Sequence, residues 1–247
     1  MPRLDPMLTR LTPRLVPKVW GSMRLEPLFR DSKEKIGEVW FEGVPDLPLL
    51  IKFLFTTEPL SVQVHPEGKT EMWHILAAEP GAKIAAGFRE PITEQRLRES
   101  ALSGEIEQLL EWFEARPGDT FFIPAGTVHA IGAGLTLCEI QQWSDVTYRL
   151  YDYGRPRELH LDEGVRVSRL GPHAARQSAR EGVLVSCPFF TTEKVRVDGS
   201  ASHKASMIVV LEGNLEIDGR PAKASEVWYT DAGAMELKGR ATVLLTS

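Results

Sequence analysis

Short apolar segments bounded by Gly and Pro recur along the chain: Leu49 to Phe55, Leu60 to His65, Glu71 to Ala77, Thr120 to Ile123, Leu135 to Gln141 and Tyr148 to Tyr153. Many short strands with turn signals between them predict a mostly β fold, a sandwich or barrel. One region breaks the rhythm. From Ile92 to Ala115 the chain is rich in helix formers, and Ile106, Leu109, Leu110 and Phe113 follow the i, i+3, i+4, i+7 pattern of an apolar helix face. This predicts a small helical insertion at about 92–115, made of two short helices broken near Ser103-Gly104 and packed outside the barrel. Arg116-Pro117-Gly118-Asp119 then turns the chain back into strand.

A second shift comes at Arg169 to Arg180, which is polar and poor in large apolar residues. Beyond it, Phe189 to Val197, Ala205 to Leu211, Leu215 to Ile217, Glu226 to Tyr229 and Ala241 to Leu245 read as strands, with Glu212-Gly213-Asn214 and Asp218-Gly219-Arg220 as turns. The expected organisation is a main β-domain at 1–168, a linker at 169–185 and a small C-terminal β-domain at 186–247.

The strand at Leu60 to His65 has an unusual face. Alternation sends Ser61, Gln63 and His65 one way and Val62 and Val64 the other. After Pro66-Glu67-Gly68, Lys69, Glu71 and Trp73 share a face, with Thr70, Met72 and His74 opposite. Two adjacent strands therefore present Gln63, His65, Lys69 and Glu71 to one space. An inward carboxylate and lysine are costly unless paired or bound to a metal, so a functional cavity explains them better than a core does. The plainer alternative is a solvent-facing strand pair whose charges are merely hydrated.

Composition narrows the partners. The 247 residues are 43% hydrophobic and 26% charged, as in ordinary globular proteins. The net charge of −5 and the lack of any Lys/Arg block argue against nucleic acid and anionic membranes. The apolar run Leu47 to Phe55 is interrupted by Lys52 and falls far short of the roughly 20 residues of a membrane span. The N-terminal stretch lacks the apolar core of a secretory signal, which makes a cytoplasmic location the expectation. Cys138 and Cys187 are too few and too far apart for a disulfide framework and read as reduced thiols.

A further stretch extends the polar strand pair. Gly118-Asp-Thr-Phe-Phe-Ile-Pro124-Ala-Gly126-Thr-Val-His129 has the spacing G-x5-P-x-G-x2-H, in which Gly and Pro shape a hairpin that delivers a histidine. It resembles the second motif of the cupins. Gln63-Val-His65 followed by Glu71 resembles the first, with Gln in place of its first histidine. Two histidines, a carboxylate and an amide oxygen suit a borderline divalent ion, zinc most naturally, with Fe(II) and Mn(II) open on ligand type alone. His74, His160, His173 and His203 read as structural or surface residues.

The run Glu139-Ile-Gln141-Gln-Trp-Ser144-Asp145-Val-Thr147-Tyr148-Arg149-Leu-Tyr151-Asp152 is similar to the EIQQ-x-SD-x-TYR-x-YD signature of type I mannose-6-phosphate isomerases, a cupin family. Gly68 to Trp73, Val19-Trp20-Gly21 and Ile36 to Trp40 resemble further elements of it in the same order. The resemblance implies a jelly-roll cupin barrel followed by a degenerate cupin-like unit. It implies one zinc ion per chain on Gln63, His65, Glu71 and His129, catalytic Arg149 and Lys69, and Ser61, Lys69 and Arg155 on the phosphate side. Glu139 matches a residue proposed for proton transfer, and the implied substrate is a small phosphorylated sugar isomerised through an enediol. Strand parity supports the two cations, since Arg149 and Arg155 share a face if the strand runs straight, and the plainer alternative is a surface ion pair with residues such as Asp145 or Asp152. The connection from His65 to Lys69 is shorter than in the family, Ser22 follows Trp20-Gly21, and Trp143 stands where Asn is commoner. The rival readings are a sugar-phosphate-binding cupin without catalysis and an Fe(II)-dependent cupin oxygenase. Oligomeric state, monomer or homodimer, is left open.

Overall fold

The structure, a computed structural model, describes residues 7–247. Its strands form three sheets and its helices are short. The five-stranded sheet runs in the order Tyr148–Tyr151, Val62–Val64, His129–Ile131, Lys83–Phe88 and Leu110–Glu114. A seven-stranded sheet runs Arg176–Gln177, Thr120–Ile123, Glu71–Ala78, Leu135–Gln142, Leu49–Thr56, Ile36–Glu42 and Thr12–Ser22. The paired strands of both sheets are antiparallel. These two sheets are separate rather than a single hydrogen-bonded cylinder.

Burial on both faces explains the sequence pattern of the central strand. All eight residues of Leu49–Thr56 are buried. Leu49, Ile51, Phe53 and Phe55 pack with Met207, Val209, Leu211 and Leu244 of the C-terminal unit, while Leu54 packs with Trp20, Trp73 and Leu137 on the other side. A strand covered on both faces reads as a continuous apolar run, and Lys52 is its one charged member.

The five-stranded sheet has its own outer cover. Val62, Val64, Val128 and Leu150 pack with Leu97, Ala101, Ile106 and Val165 from the helices Glu94–Ser103, Ile106–Leu109 and Leu161–Val167. The valines of the polar strand thus face helices, which leaves Gln63 for the interior. Thr93 caps the first helix by accepting from the Arg96 amide, and Gly104 ends it at φ 84°. The helical insertion is shorter than expected: Leu110–Glu114 is a strand, because it pairs with Lys83–Phe88 and completes the sheet edge.

The C-terminal unit holds Gly182–Ser186, Thr191–His203, Met207–Ile217, Arg220–Lys223, Val227–Thr230 and Met235–Thr246. Leu8–Arg10 joins this sheet by pairing with Val227–Thr230, so the chain enters at the second unit before building the first. The expected linker is partly strand, since Arg176–Gln177 pairs with Thr120 and Phe121, and Gly182–Ser186 pairs with Thr191 to Lys194. Glu212-Gly213-Asn214 is not a turn. Met207–Ile217 passes through it as one strand, with a register shift between Val210 and Glu212 and Gly213 at φ 81°.

Candidate active site

The site lies between the two cupin sheets, and strand register assembles it. Gln63 is opposite both His129 and Arg149, which sets three side chains in a row on the five-stranded sheet. On the facing sheet Trp40, Lys52, Glu139 and Trp73 are successive partners across four strands, and Gln141 is opposite Glu71. Gly68, at φ 89°, shapes the short connection between His65 and Lys69.

His65, Glu71 and His129 bring one ligand atom each to within 4.8 Å of one another, all three residues buried. His65 Nε2 is 3.4 Å from Glu71 Oε2, and His129 Nε2 is 3.7 Å from Glu71 Oε1. Each imidazole is oriented from behind. His65 Nδ1 donates to the Val146 carbonyl at 3.0 Å and His129 Nδ1 donates to the Thr127 carbonyl at 2.8 Å. With the proton on Nδ1, Nε2 carries its lone pair inward, the arrangement of a metal-ligating histidine. Burial, with the nearby charge of Lys69, holds the His65 pKa well below its ordinary value, and burial lowers that of His129, so both are neutral bases.

Among the described residues Glu71 Oε1 is buried without a hydrogen-bond partner. An anionic oxygen in that position is costly unless a cation meets it. The Gln63 amide faces His129 Nε2 at 3.2 Å, and its oxygen accepts from Ser61 Oγ at 3.1 Å. Half a turn of this amide exchanges oxygen for nitrogen without steric change and presents the oxygen to the same centre. These ligand atoms fit a divalent ion, with His65, Glu71 and His129 as the residues that could hold it.

A cavity of about 230 Å³ opens beside this cluster, lined by Ser61, Gln63, His65, Lys69, Glu71, Glu139 and Arg149 among others. Glu139 is held at both oxygens, by Lys52 Nζ at 2.9 Å and Trp73 Nε1 at 2.9 Å. Burial alone lowers a lysine pKa, but Glu139 and then Glu38 outweigh it and raise that of Lys52, keeping it charged. Lys69 donates to Thr147 Oγ1 at 3.2 Å, and burial lowers its pKa against the opposing pull of Glu71. Arg149 donates through one terminal nitrogen to the Glu158 carbonyl at 2.8 Å, while its buried Nε has no partner among the described residues. Among the described residues neither Lys69 nor Arg149 has a carboxylate partner within ion-pair distance. Lys18 and Arg157, also at the cavity, are bound to Glu38 and Asp152.

Arg155 departs from expectation. The strand ends at Tyr151, and Tyr153 adopts a left-handed φ of 55°, so the shared face with Arg149 is lost. Its guanidinium goes instead to Asp152 at 3.1 Å, the Pro59 carbonyl at 2.8 Å and Glu58 at 3.4 Å, and the residue does not line the cavity. Lys52, Trp40 and Gln141 were missed by the sequence reading. The signal for Lys52 was present: a lone charge at an alternating position inside an apolar strand. His74 is buried on the opposite face of its strand, bonded to Thr120 Oγ1 at 3.0 Å, beside a separate cleft of about 810 Å³ between the two β-units.

Two facing sheets with two histidines, a carboxylate and an amide converging between them define a cupin with a candidate metal centre. Curated relatives carry the comparison further. The chain is 34% identical over 226 residues to mannose-6-phosphate isomerase of Streptococcus mutans, covering 82% of this chain and 70% of the relative. It is 36% identical over 236 residues to mannose-6-phosphate isomerase ManA of Bacillus subtilis, covering 85% and 74%. This chain belongs to the mannose-6-phosphate isomerase family. A crystal structure of the Bacillus subtilis mannose 6-phosphate isomerase superposes with a TM-score of 0.82 at 26% identity, over 99% of this chain and 100% of that one. A mutant phosphomannose isomerase from Salmonella typhimurium shares the fold at a TM-score of 0.76 and 15% identity, over 97% and 98% of the two chains. No family model matches the sequence.

Proposed function

We propose that the protein interconverts mannose 6-phosphate and fructose 6-phosphate through an enediol, with one zinc ion held by Gln63, His65, Glu71 and His129. The observation that carries this reading is a single cavity shared by the orphaned Glu71 oxygen, the tethered Glu139 and two cations lacking carboxylate partners, Lys69 and Arg149. Family membership supports it, since the relatives are named for that reaction.

Zinc, when bound, supplies Lewis-acid polarisation of the substrate carbonyl. The chain's own residues then have defined tasks. Glu139 takes the proton from C2 of the aldose and returns it to C1, while the hydroxyl proton at O2 passes to O1, which leaves the atoms balanced. Its bonds from Lys52 and Trp73 hold it in place at the cavity wall. Arg149, with its unused Nε, offsets negative charge developing on the oxygens of the enediol. Lys69 and the Ser61 hydroxyl are the phosphate-side groups. Arg155 is left out of that role because its guanidinium is already engaged outside the cavity.

The proposed chemistry is tested by turnover of mannose 6-phosphate in deuterium oxide. Fructose 6-phosphate carrying deuterium at C1 supports it. Absence of product with zinc present overturns the assignment of substrate, and product carrying no deuterium at C1 overturns the solvent-exchanging enediol.

A further inference from the structure

We propose that Gln141 is a positioning residue that ties Lys52 to the metal-facing histidine His65, an inference that rests on the metal-isomerase reading above. Gln141 is fully buried, stands opposite Glu71 in register, and does not line the cavity. Both ends of its amide are engaged. Oε1 accepts from Lys52 Nζ at 2.5 Å, while Nε2 donates to the carbonyls of Gln142 at 2.8 Å and Ser144 at 2.7 Å. This orientation is fixed by chemistry, because an ammonium only donates and a carbonyl only accepts.

Ser144 opens the turn that supports the site from behind. Two residues on, the Val146 carbonyl accepts His65 Nδ1 at 3.0 Å and Lys69 Nζ at 3.5 Å, and Thr147 Oγ1 accepts Lys69 at 3.2 Å. The turn has little apolar burial of its own, since Trp143 is 50% and Val146 41% exposed. Its place therefore depends on hydrogen bonds, and the Gln141 amide supplies one from the protein interior. One neutral side chain thereby sets both the Lys52 that aims Glu139 and the carbonyl that fixes the His65 tautomer.

Partners that orient metal ligands from behind change metal affinity or activity by about 10- to 100-fold when removed. Gln141→Met keeps the volume and removes both bonding ends, and Gln141→Asn keeps the amide but shortens its reach. Zinc affinity is measured by competition with a chromophoric chelator, alongside melting of the metal-free chain and steady-state kinetics at saturating zinc. The expected result is a ~10- to 100-fold weaker zinc affinity in Gln141→Met and a smaller loss in Gln141→Asn. At saturating zinc, kcat falls while KM for mannose 6-phosphate stays near that of the wild type. Zinc affinity within twofold of the wild type in either folded variant overturns the inference, as does a loss of kcat that merely follows the folded fraction. Should Gln141→Met fail to fold, Gln141→Asn decides. A wild-type protein that binds zinc without isomerising the sugar defeats the functional reading alone, and the zinc competition still decides the role of Gln141.

Discussion

Lys52 and Glu139 face each other on adjacent strands and meet at 2.9 Å in the cavity wall, with 5% and 7% of their side chains exposed. Both charges are buried, so each depends on the other. Removing one partner leaves a buried uncompensated charge. Lys52→Met is expected to cost about 3–5 kcal/mol in urea unfolding at neutral pH. The double variant Lys52→Met/Glu139→Gln is expected to recover part of that loss while remaining inactive, and a double variant less stable than Lys52→Met would contradict the pairing.

The two arginines that parity placed together are expected to separate in kinetics. Arg149→Met removes a cavity cation with a free Nε, and kcat/KM should fall by about 10²–10³. Arg155→Ala breaks contacts to Asp152, Glu58 and the Pro59 carbonyl outside the cavity, so it should lower stability modestly and leave kcat within a few-fold. Equal losses of kcat would contradict the structural separation.

Acid should weaken the metal-free protein through its buried histidines. Burial, with Lys194 nearby, lowers the His74 pKa from 6.5 to about 4, and burial also lowers those of His65 and His129. For His74, between those limits the unfolded chain binds a proton that the folded chain refuses, so stability falls as pH drops below about 6.5, by up to about 1.4 kcal/mol per unit, and the lowered pKa values of His65 and His129 act in the same direction. Urea midpoints of the metal-free chain should decline from pH 6.5 towards 4, and His74→Gln should flatten the slope. A flat profile in the parent protein would contradict the burial argument.

Gly126 shapes the turn that delivers His129. It adopts φ +83°, its amide donates to the His65 carbonyl at 2.8 Å, and a Cβ there would meet the Val167 carbonyl oxygen at 2.9 Å. Gly126→Ala combines a disfavoured backbone with a close contact and should cost more than about 1 kcal/mol. Because the same turn links both histidines, zinc affinity should fall with it. Unchanged melting and zinc binding would contradict this role.

The parts of the fold and candidate site set by local pattern were legible in the sequence. Alternation around Val62 and Val64 anticipated an inward Gln63, and the G-x5-P-x-G-x2-H spacing anticipated a histidine that meets Glu71 from a different sheet. What depended on distant pairing was not legible. Lys52 gains its role only when Leu49–Thr56 lies beside Leu135–Gln142, and Leu8–Arg10 only when it joins a strand more than two hundred residues later. Arg155 was misplaced because one left-handed residue, Tyr153, ends the period of two on which strand parity depends. Glu212-Gly213-Asn214 carries turn residues, yet its partner Met235–Thr246 continues past it and turns the expected hairpin into a bulge.

A divalent metal on His65, Glu71, His129 and Gln63 is expected to be required for sugar-phosphate isomerisation. The most direct test of this requirement couples metal analysis of the purified protein to turnover of mannose 6-phosphate into fructose 6-phosphate before chelation, after chelation and after return of zinc. One zinc ion per chain, loss of turnover on chelation and recovery on return of zinc are the expected results. Full turnover by chelated protein shown to be free of metal would contradict the requirement.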